Sequence, residues 1–331
     1  MNIKSLLLGS AAALAVVSGA QAADAIVAAE PEPMEYVRVC DAFGTGYFYI
    51  PGTETCLKIG GEIRATLGVD ETESVDGDDW DTGVRARITL DAKNDSEIGT
   101  IGSFIRIQGD SQGASTGDDV AITLHEAYIT VGGFKIGRQL TWADDWGLAG
   151  ETDSFFGSAR FNAISYVYAA DAFTVGLGVD DLSDEFSGNE VGLEAVASAT
   201  LGMATVTVNG VYDFGDEEGA IAGVLSADLG PGTLGIAGAW ASGQSTGYDF
   251  ASEWTVGAAY TFKATDKLSI TPQVVYWGDY GFDGGDDAWG ADLYIEYALA
   301  AGLKASADIA YIDEEGADSN WNGFVRLTRS F

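Results

Sequence analysis

From residue 57 to the end of the chain, apolar side chains recur at every second position in stretches of about ten residues, with turn residues between them. Phe173, Val175, Leu177 and Val179 alternate with Thr174, Gly176 and Gly178, and Trp254, Val256, Ala258, Tyr260 and Phe262 alternate with Thr255, Gly257 and Thr261. A period of two belongs to a strand with one apolar face and one wet face. Sixteen stretches fit it: 57–69, 82–92, 98–109, 121–131, 133–139, 161–170, 172–180, 190–200, 203–212, 220–229, 232–241, 251–262, 268–278, 288–299, 303–312 and 321–331. The connections alternate in kind. Asn94-Asp95-Ser96, Gly132-Gly133, Gly230-Pro231-Gly232 and Ala300-Ala301-Gly302 are tight turns, whereas Asp70–Asp81, Leu140–Arg160, Ser242–Asp249 and Asp313–Asn320 are longer and acidic. Short turns on one side, long loops on the other and an even strand count are the asymmetry of a single-chain barrel that crosses a membrane.

Composition sharpens that expectation. The chain is 47% hydrophobic, yet no run of about 20 apolar residues follows the N-terminal segment, so its apolar content is spread by alternation along strands. Trp240, Trp254, Tyr276, Trp289, Tyr297 and Trp321 fall near strand ends, as the aromatic girdles of such barrels do. The expected fold is all-β: a 16-stranded antiparallel transmembrane β-barrel with an inward-folded third loop. Residues 1–22 read as a signal peptide, with Lys4, the apolar run Leu6–Val17 and the small-x-small site Ala20-Gln21-Ala22. Residues 23–56 form a pre-barrel segment and 57–331 the barrel. The last strand puts Val325, Leu327 and Phe331 on one face and finishes on an aromatic residue, the feature that outer-membrane barrel assembly recognises. The expected location is therefore the outer membrane of a Gram-negative cell. Cys40 and Cys56 then meet an oxidising compartment, where a disulfide is the default. Closing a loop of about 15 residues stabilises by roughly 3 kcal/mol. A metal pair would need further ligands, and neither another Cys nor a nearby His supplies them.

Charge changes the picture again. The formal net charge is −35, and most acids sit in the long connections, where they give a solvated surface or bridge through divalent cations to anionic lipid. The arginines are confined: Arg64, Arg85, Arg87, Arg106, Arg138 and Arg160 lie in the first six strands or at their ends, none occurs from 161 to 325, and Arg326 returns on the strand that closes against the first. Alternation sets Arg64, Arg85, Arg87 and Arg106 opposite apolar neighbours and so into the lumen, since an arginine at the lipid midplane costs about 2–4 kcal/mol. Pairing with lumen carboxylates to stabilise the wall is the other use open to them. The connection Leu140–Arg160 is the longest, and it mixes Trp142, Trp146, Leu148, Phe155 and Phe156 with Asp144, Asp145, Glu151 and Asp153. Five large apolar groups suit a loop packed against the inner wall, with its carboxylates turned to the arginine arc. Facing charges of that kind filter solutes.

The segment Glu35-Tyr-Val-Arg-Val-Cys-Asp-Ala-Phe-Gly-Thr-Gly-Tyr-Phe-Tyr-Ile-Pro-Gly-Thr-Glu-Thr-Cys-Leu-Lys-Ile-Gly-Gly61 resembles the start of alphaproteobacterial general porins. Gly132-Gly-Phe-Lys-Ile-Gly-Arg138 and the terminal Arg-Ser-Phe331 are similar to that family as well. The resemblance implies a sixteen-stranded homotrimer with an inward third loop, and a trimer face near the chain closure. The expected function is a passive channel for small hydrophilic solutes and ions, embedded in membrane lipids, with no cofactor, no metal and no nucleic-acid partner. A structural or adhesive barrel with acidic loops is the alternative. An enzyme is not expected, because His125 is the only histidine and has no nucleophile motif around it.

Overall fold

Each alternating stretch has an apolar face that must leave water and two edges that must be paired, and closing the sheet on itself meets both demands. The computed structural model describes residues 38–71, 80–112, 121–143, 147–152, 155–157, 160–183 and 190–331. The signal peptide expected over 1–22 lies outside them, as do Asp144, Asp145 and Asp153. The strands are β1 (Phe48–Tyr49), β2 (Cys56–Asp70), β3 (Trp80–Ser96), β4 (Gly99–Gln112), β5 (Ala121–Val131), β6 (Phe134–Leu140), β7 (Arg160–Ala169), β8 (Phe173–Asp181), β9 (Val191–Leu201), β10 (Ala204–Asp213), β11 (Glu218–Leu229), β12 (Gly232–Ala241), β13 (Ser252–Lys263), β14 (Leu268–Tyr280), β15 (Ala288–Ala300), β16 (Leu303–Glu314) and β17 (Asn320–Ser330).

Strands β2 to β17 form the closed sixteen-strand barrel, each antiparallel to the next. β17 returns to β2 with Val325 opposite Leu67 and Leu327 opposite Ala65. Phe331 extends that closure, its N–H and C=O exchanging 3.1 Å hydrogen bonds with Gly61. The outward sets are the apolar ones: Leu177 is 57% exposed and Val256 48%, levels that a water-soluble core would not show but a lipid face requires. Most strand ends differ from the expectation by one to four residues, and the end of β3 shows why. Asn94-Asp95-Ser96 belongs to β3 rather than to a turn, because the ladder continues past the apolar band into the polar rim, where outward residues need not be hydrophobic. The turn is at 97–98, where Ser96 Oγ donates to the Gly99 carbonyl at 2.6 Å.

The segment before the barrel is tied to it. β1 pairs with the start of β2, Phe48 opposite Leu57 and Tyr49 opposite Cys56. The Cys40–Cys56 disulfide fastens it at a Cα separation of 5.9 Å. Tyr47 is buried beside the bridge and donates to Asp91 Oδ2 on β3 at 2.5 Å. Its hydroxyl is pushed above the ordinary tyrosine value, first by burial and then by that carboxylate.

Candidate pore constriction

The third long loop leaves the end of β6, and its described residues, 141–143, 147–152 and 155–157, lie against the inside of the barrel. Its described residues are tied to the wall strand by strand. The Trp142 N–H donates to Glu194 Oε2 on β9 at 3.0 Å, and its carbonyl accepts from Asn209 on β10 at 2.5 Å. The Gly150 N–H donates to Gln273 Oε1 on β14 at 2.9 Å, and the Glu151 N–H to Asp292 Oδ2 on β15 at 3.0 Å. Side chains follow the same track. The Trp142 ring lies over Gly176, where an added Cβ would come within 2.7 Å of it, and Leu148 lies over Gly257, within 2.9 Å of one. The inner wall under the loop lacks Cβ atoms at the points of closest approach, which is what lets the loop lie flat on it.

A second connection folds in as well. Ser242–Asp249, expected as an acidic loop, carries a core: its Tyr248 and Phe250, the residue that follows the loop, are buried and cluster with Phe155 and Leu182. Phe155 stacks on Phe250 with ring centroids 5.9 Å apart, and the Ala251 N–H donates to the Phe155 carbonyl at 2.8 Å, so this loop clamps the returning arm of the third loop. Asp213 holds it from β10 through Ser245 Oγ at 2.7 Å, and Asp180 holds it from β8 through the Tyr248 hydroxyl at 2.7 Å. Burial, and then the Asp180 charge, raise the Tyr248 hydroxyl above its usual value, so it stays a protonated donor.

The other half of the wall is arginine-rich. Arg326 on β17, Arg64 on β2, Arg85 and Arg87 on β3 and Arg106 on β4 share the inner face of four adjacent strands. Arg64 stands directly opposite Arg85 in register. Like charges in that position are destabilising, so shape alone does not account for them. Carboxylates are interleaved: Glu62 lies 3.5 Å from Arg64 and 3.6 Å from Arg87, Asp110 lies 2.8 Å from Arg85, and Glu126 lies 2.5 Å from Arg106. Phe104 stacks on Tyr128 at 5.1 Å beside them. Glu151, read from sequence as a carboxylate across the pore from the arginines, instead touches the arc, its Oε1 lying 3.5 Å from Arg326 Nη1. The tip of the third loop thus reaches the edge of the arginine wall. Sequence reading missed the partners Asp110 and Glu126 and the anchors Glu194, Asp292 and Asp180. The period-two phase marks all five as inward, but not that a loop would cover the last three.

A closed barrel with an apolar outer face, an inner loop and a charged inner wall defines a channel protein of the outer membrane. The model of a porin subfamily matches residues 24–327, and the chain belongs to that family. It is 48% identical to the putative outer membrane protein y4fJ of Sinorhizobium fredii, over 100% of this chain and 99% of that one. It is 34% identical to porin Omp2a of Brucella melitensis, over 100% of both. Among solved structures, the trimer form of in-vitro folded OmpT of Vibrio cholerae superposes with a TM-score of 0.62 at 18% identity, covering 84% of this chain and 100% of that one, a likeness of fold. The chain is an outer-membrane porin that crosses the membrane many times.

Proposed function

We propose that this porin is a passive diffusion channel for small hydrophilic solutes and ions, and that it works as a homotrimer. Its constriction is formed by Arg64, Arg85, Arg87 and Arg106 on the wall and by the third loop with Asp144, Asp145, Glu151 and Asp153, Glu151 meeting the arginine wall at Arg326. The observation that carries this reading is the third loop hydrogen-bonded to the inner wall at Trp142, Gly150 and Glu151, on the strands away from the arginine wall. The trimer form of the structural neighbour supports the assembly. Residues 1–22 act as the export signal. The protein is a channel and not an enzyme in this reading, in keeping with its membership of the porin family.

A solute crossing the constriction meets fixed positive charge on one side and carboxylates on the other, so it is sorted by size and by how its own dipole fits that transverse field. Charges act over about 8 Å at physiological salt. The constriction therefore outweighs distant loop charge, and a mild preference for cations is expected because Asp144, Asp145, Glu151 and Asp153 add to an acidic mouth. Single-channel recording of the refolded protein in a planar bilayer, with a salt gradient, tests this. Ohmic steps in triplets and a reversal potential of cation sign are expected. Folded protein that gives no steps would refute the diffusion channel and leave a structural or adhesive barrel.

A further inference from the structure

Toward the long-loop end of the barrel, a cavity of about 410 Å³ lies between the inner wall of β16, β17, β2 and β3 and the tip of the third loop. Its lining sets four carboxylates, Asp70, Asp81, Glu151 and Asp308, against one guanidinium, Arg326. That guanidinium is already engaged. It lies 3.8 Å over the Phe324 ring, its Nη1 is 3.5 Å from Glu151, and its Nε donates to Thr66 Oγ1 at 3.3 Å. Asp308 is placed differently. It is only 8% exposed, and its Oδ1 has no hydrogen-bond partner among the described residues. In register it stands between Tyr294 on β15 and Phe324 on β17. The two rings lie 6.4 Å apart, and the tyrosine hydroxyl donates to Glu296 instead, at 3.1 Å. A buried carboxylate walled by rings is costly until a donor reaches it.

The register sets the shape of what fits. Asp308, Phe324, Gly68 and Asp81 form one row across β16, β17, β2 and β3. Three strand spacings put the two ends of the row about 14 Å apart along the sheet. Asp81 shortens that gap by leaning over Gly68, where an added Cβ would meet its Oδ1 at 2.7 Å. Two carboxylates thus face along a trough with an aromatic ring between them. Among the described residues no three acidic, histidine or cysteine side chains converge as a metal ion requires. Separated charges with an apolar stretch between them complement an aliphatic dication, not a bare ion. We propose that this trough binds a small organic diamine, with one ammonium at Asp308 and the other at Asp81. An ammonium brings three donors and no acceptor, and at Asp308 it is held among rings, where charge attracts more strongly than in open water. The inference rests on the channel reading above and deepens it: the site holds such solutes beside the loop tip, before the constriction.

The test is calorimetric titration of the full chain, refolded in detergent at low salt, with 1,4-diaminobutane. A single diamine per barrel is expected, while the neutral isostere 1,4-butanediol should give no binding heat. Asp308→Asn should weaken the diamine at least about tenfold, since a charge-assisted hydrogen bond becomes a neutral one. Asp81 is exposed at the end of β3, so Asp81→Asn tests the same trough without disturbing a buried group. It should weaken the diamine and leave propylamine, which reaches only the Asp308 end, unchanged. No binding, propylamine binding as tightly as the diamine, or native affinity in folded Asp308→Asn would each overturn the proposal. So would magnesium chloride that displaces the diamine at equimolar concentration, because the trough would then be an inorganic ion site. Conductance of the same preparation is read separately. Barrels that conduct but bind no diamine keep the channel reading and lose the site; barrels that bind it without conducting do the reverse.

Discussion

Arg85 on β3 and Glu194 on β9 both point into the barrel, yet the arginine side chain is 33% exposed and the glutamate residue 2%. The contrast runs through the two halves of the wall. On β17 and β2 to β4, charge lies open to the lumen in a lattice of arginines and carboxylates. From β8 to β15, charge is spent on backbone N–H groups and hydroxyls of two loops that cover it. Acids on the second half are therefore fasteners, and counting them as pore charge would overstate the field they exert on a passing ion. Charge in the first half lies open to solutes, with the arginines partly offset by the carboxylates beside them.

If the loop-bearing half is held by its aromatic clamp, Tyr248→Ala is the largest lesion. Removing a buried aromatic side chain typically costs about 3–5 kcal/mol, and here it also strips Asp180 of its hydroxyl donor. Limited proteolysis should cut within 242–251, and denaturant should release near-UV signal before the barrel unfolds. Resistance equal to the native protein would show that the clamp is not what holds these loops. Arg106→Ala should cost nearly as much, and it marks where the comparison breaks. Glu126 is only 4% exposed, so this member of the arginine half behaves like a buried pair, whose disruption costs about 3–5 kcal/mol. Chemical denaturation should separate it clearly from its neighbours.

Gly176→Val tests the loop's seat. The new Cβ would meet the Trp142 ring at 2.7 Å, and overpacking of this kind costs about 1–3 kcal/mol. The loop is expected to shift into the lumen, so single-channel conductance should fall while selectivity holds; unchanged conductance would mean the ring moves aside without the loop. Arg85→Ala should have the opposite profile. Its pair with Asp110 is half-exposed and contributes under about 1 kcal/mol, and its removal relieves the repulsion from Arg64. Stability should be nearly unchanged while the reversal potential moves toward cations.

The first half of this picture was legible in the chain and the second was not. Strand number, the lipid face and the inward phase of Arg64, Arg85, Arg87 and Arg106 follow from a period of two, which is local. The clamp formed by Tyr248 and Phe250 on Phe155 is not local, because it joins residues some 95 positions apart through a closed sheet. Ser242–Asp249 reads as one more polar loop, since nothing in an isolated loop says where a Tyr and a Phe will be buried.

Glu151 is the residue that belongs to both halves. Its backbone N–H is fastened to Asp292 on the loop-bearing side, and its carboxylate reaches Arg326 on the arginine side. Glu151→Gln keeps the backbone anchor and removes the ion pair. At 3.5 Å, with the glutamate side chain 38% exposed, the pair is worth under about 1 kcal/mol, so the unfolding midpoint should hardly move. The expected effect is on the open channel. Arg326 would lose its partner at the loop tip and add positive charge to the lumen, shifting the reversal potential toward anions, opposite in sign to Arg85→Ala. Equal conductance and an unmoved reversal potential would show that the tip contact carries no weight in permeation. A large loss of stability would show that the two halves are joined there more strongly than an exposed pair allows.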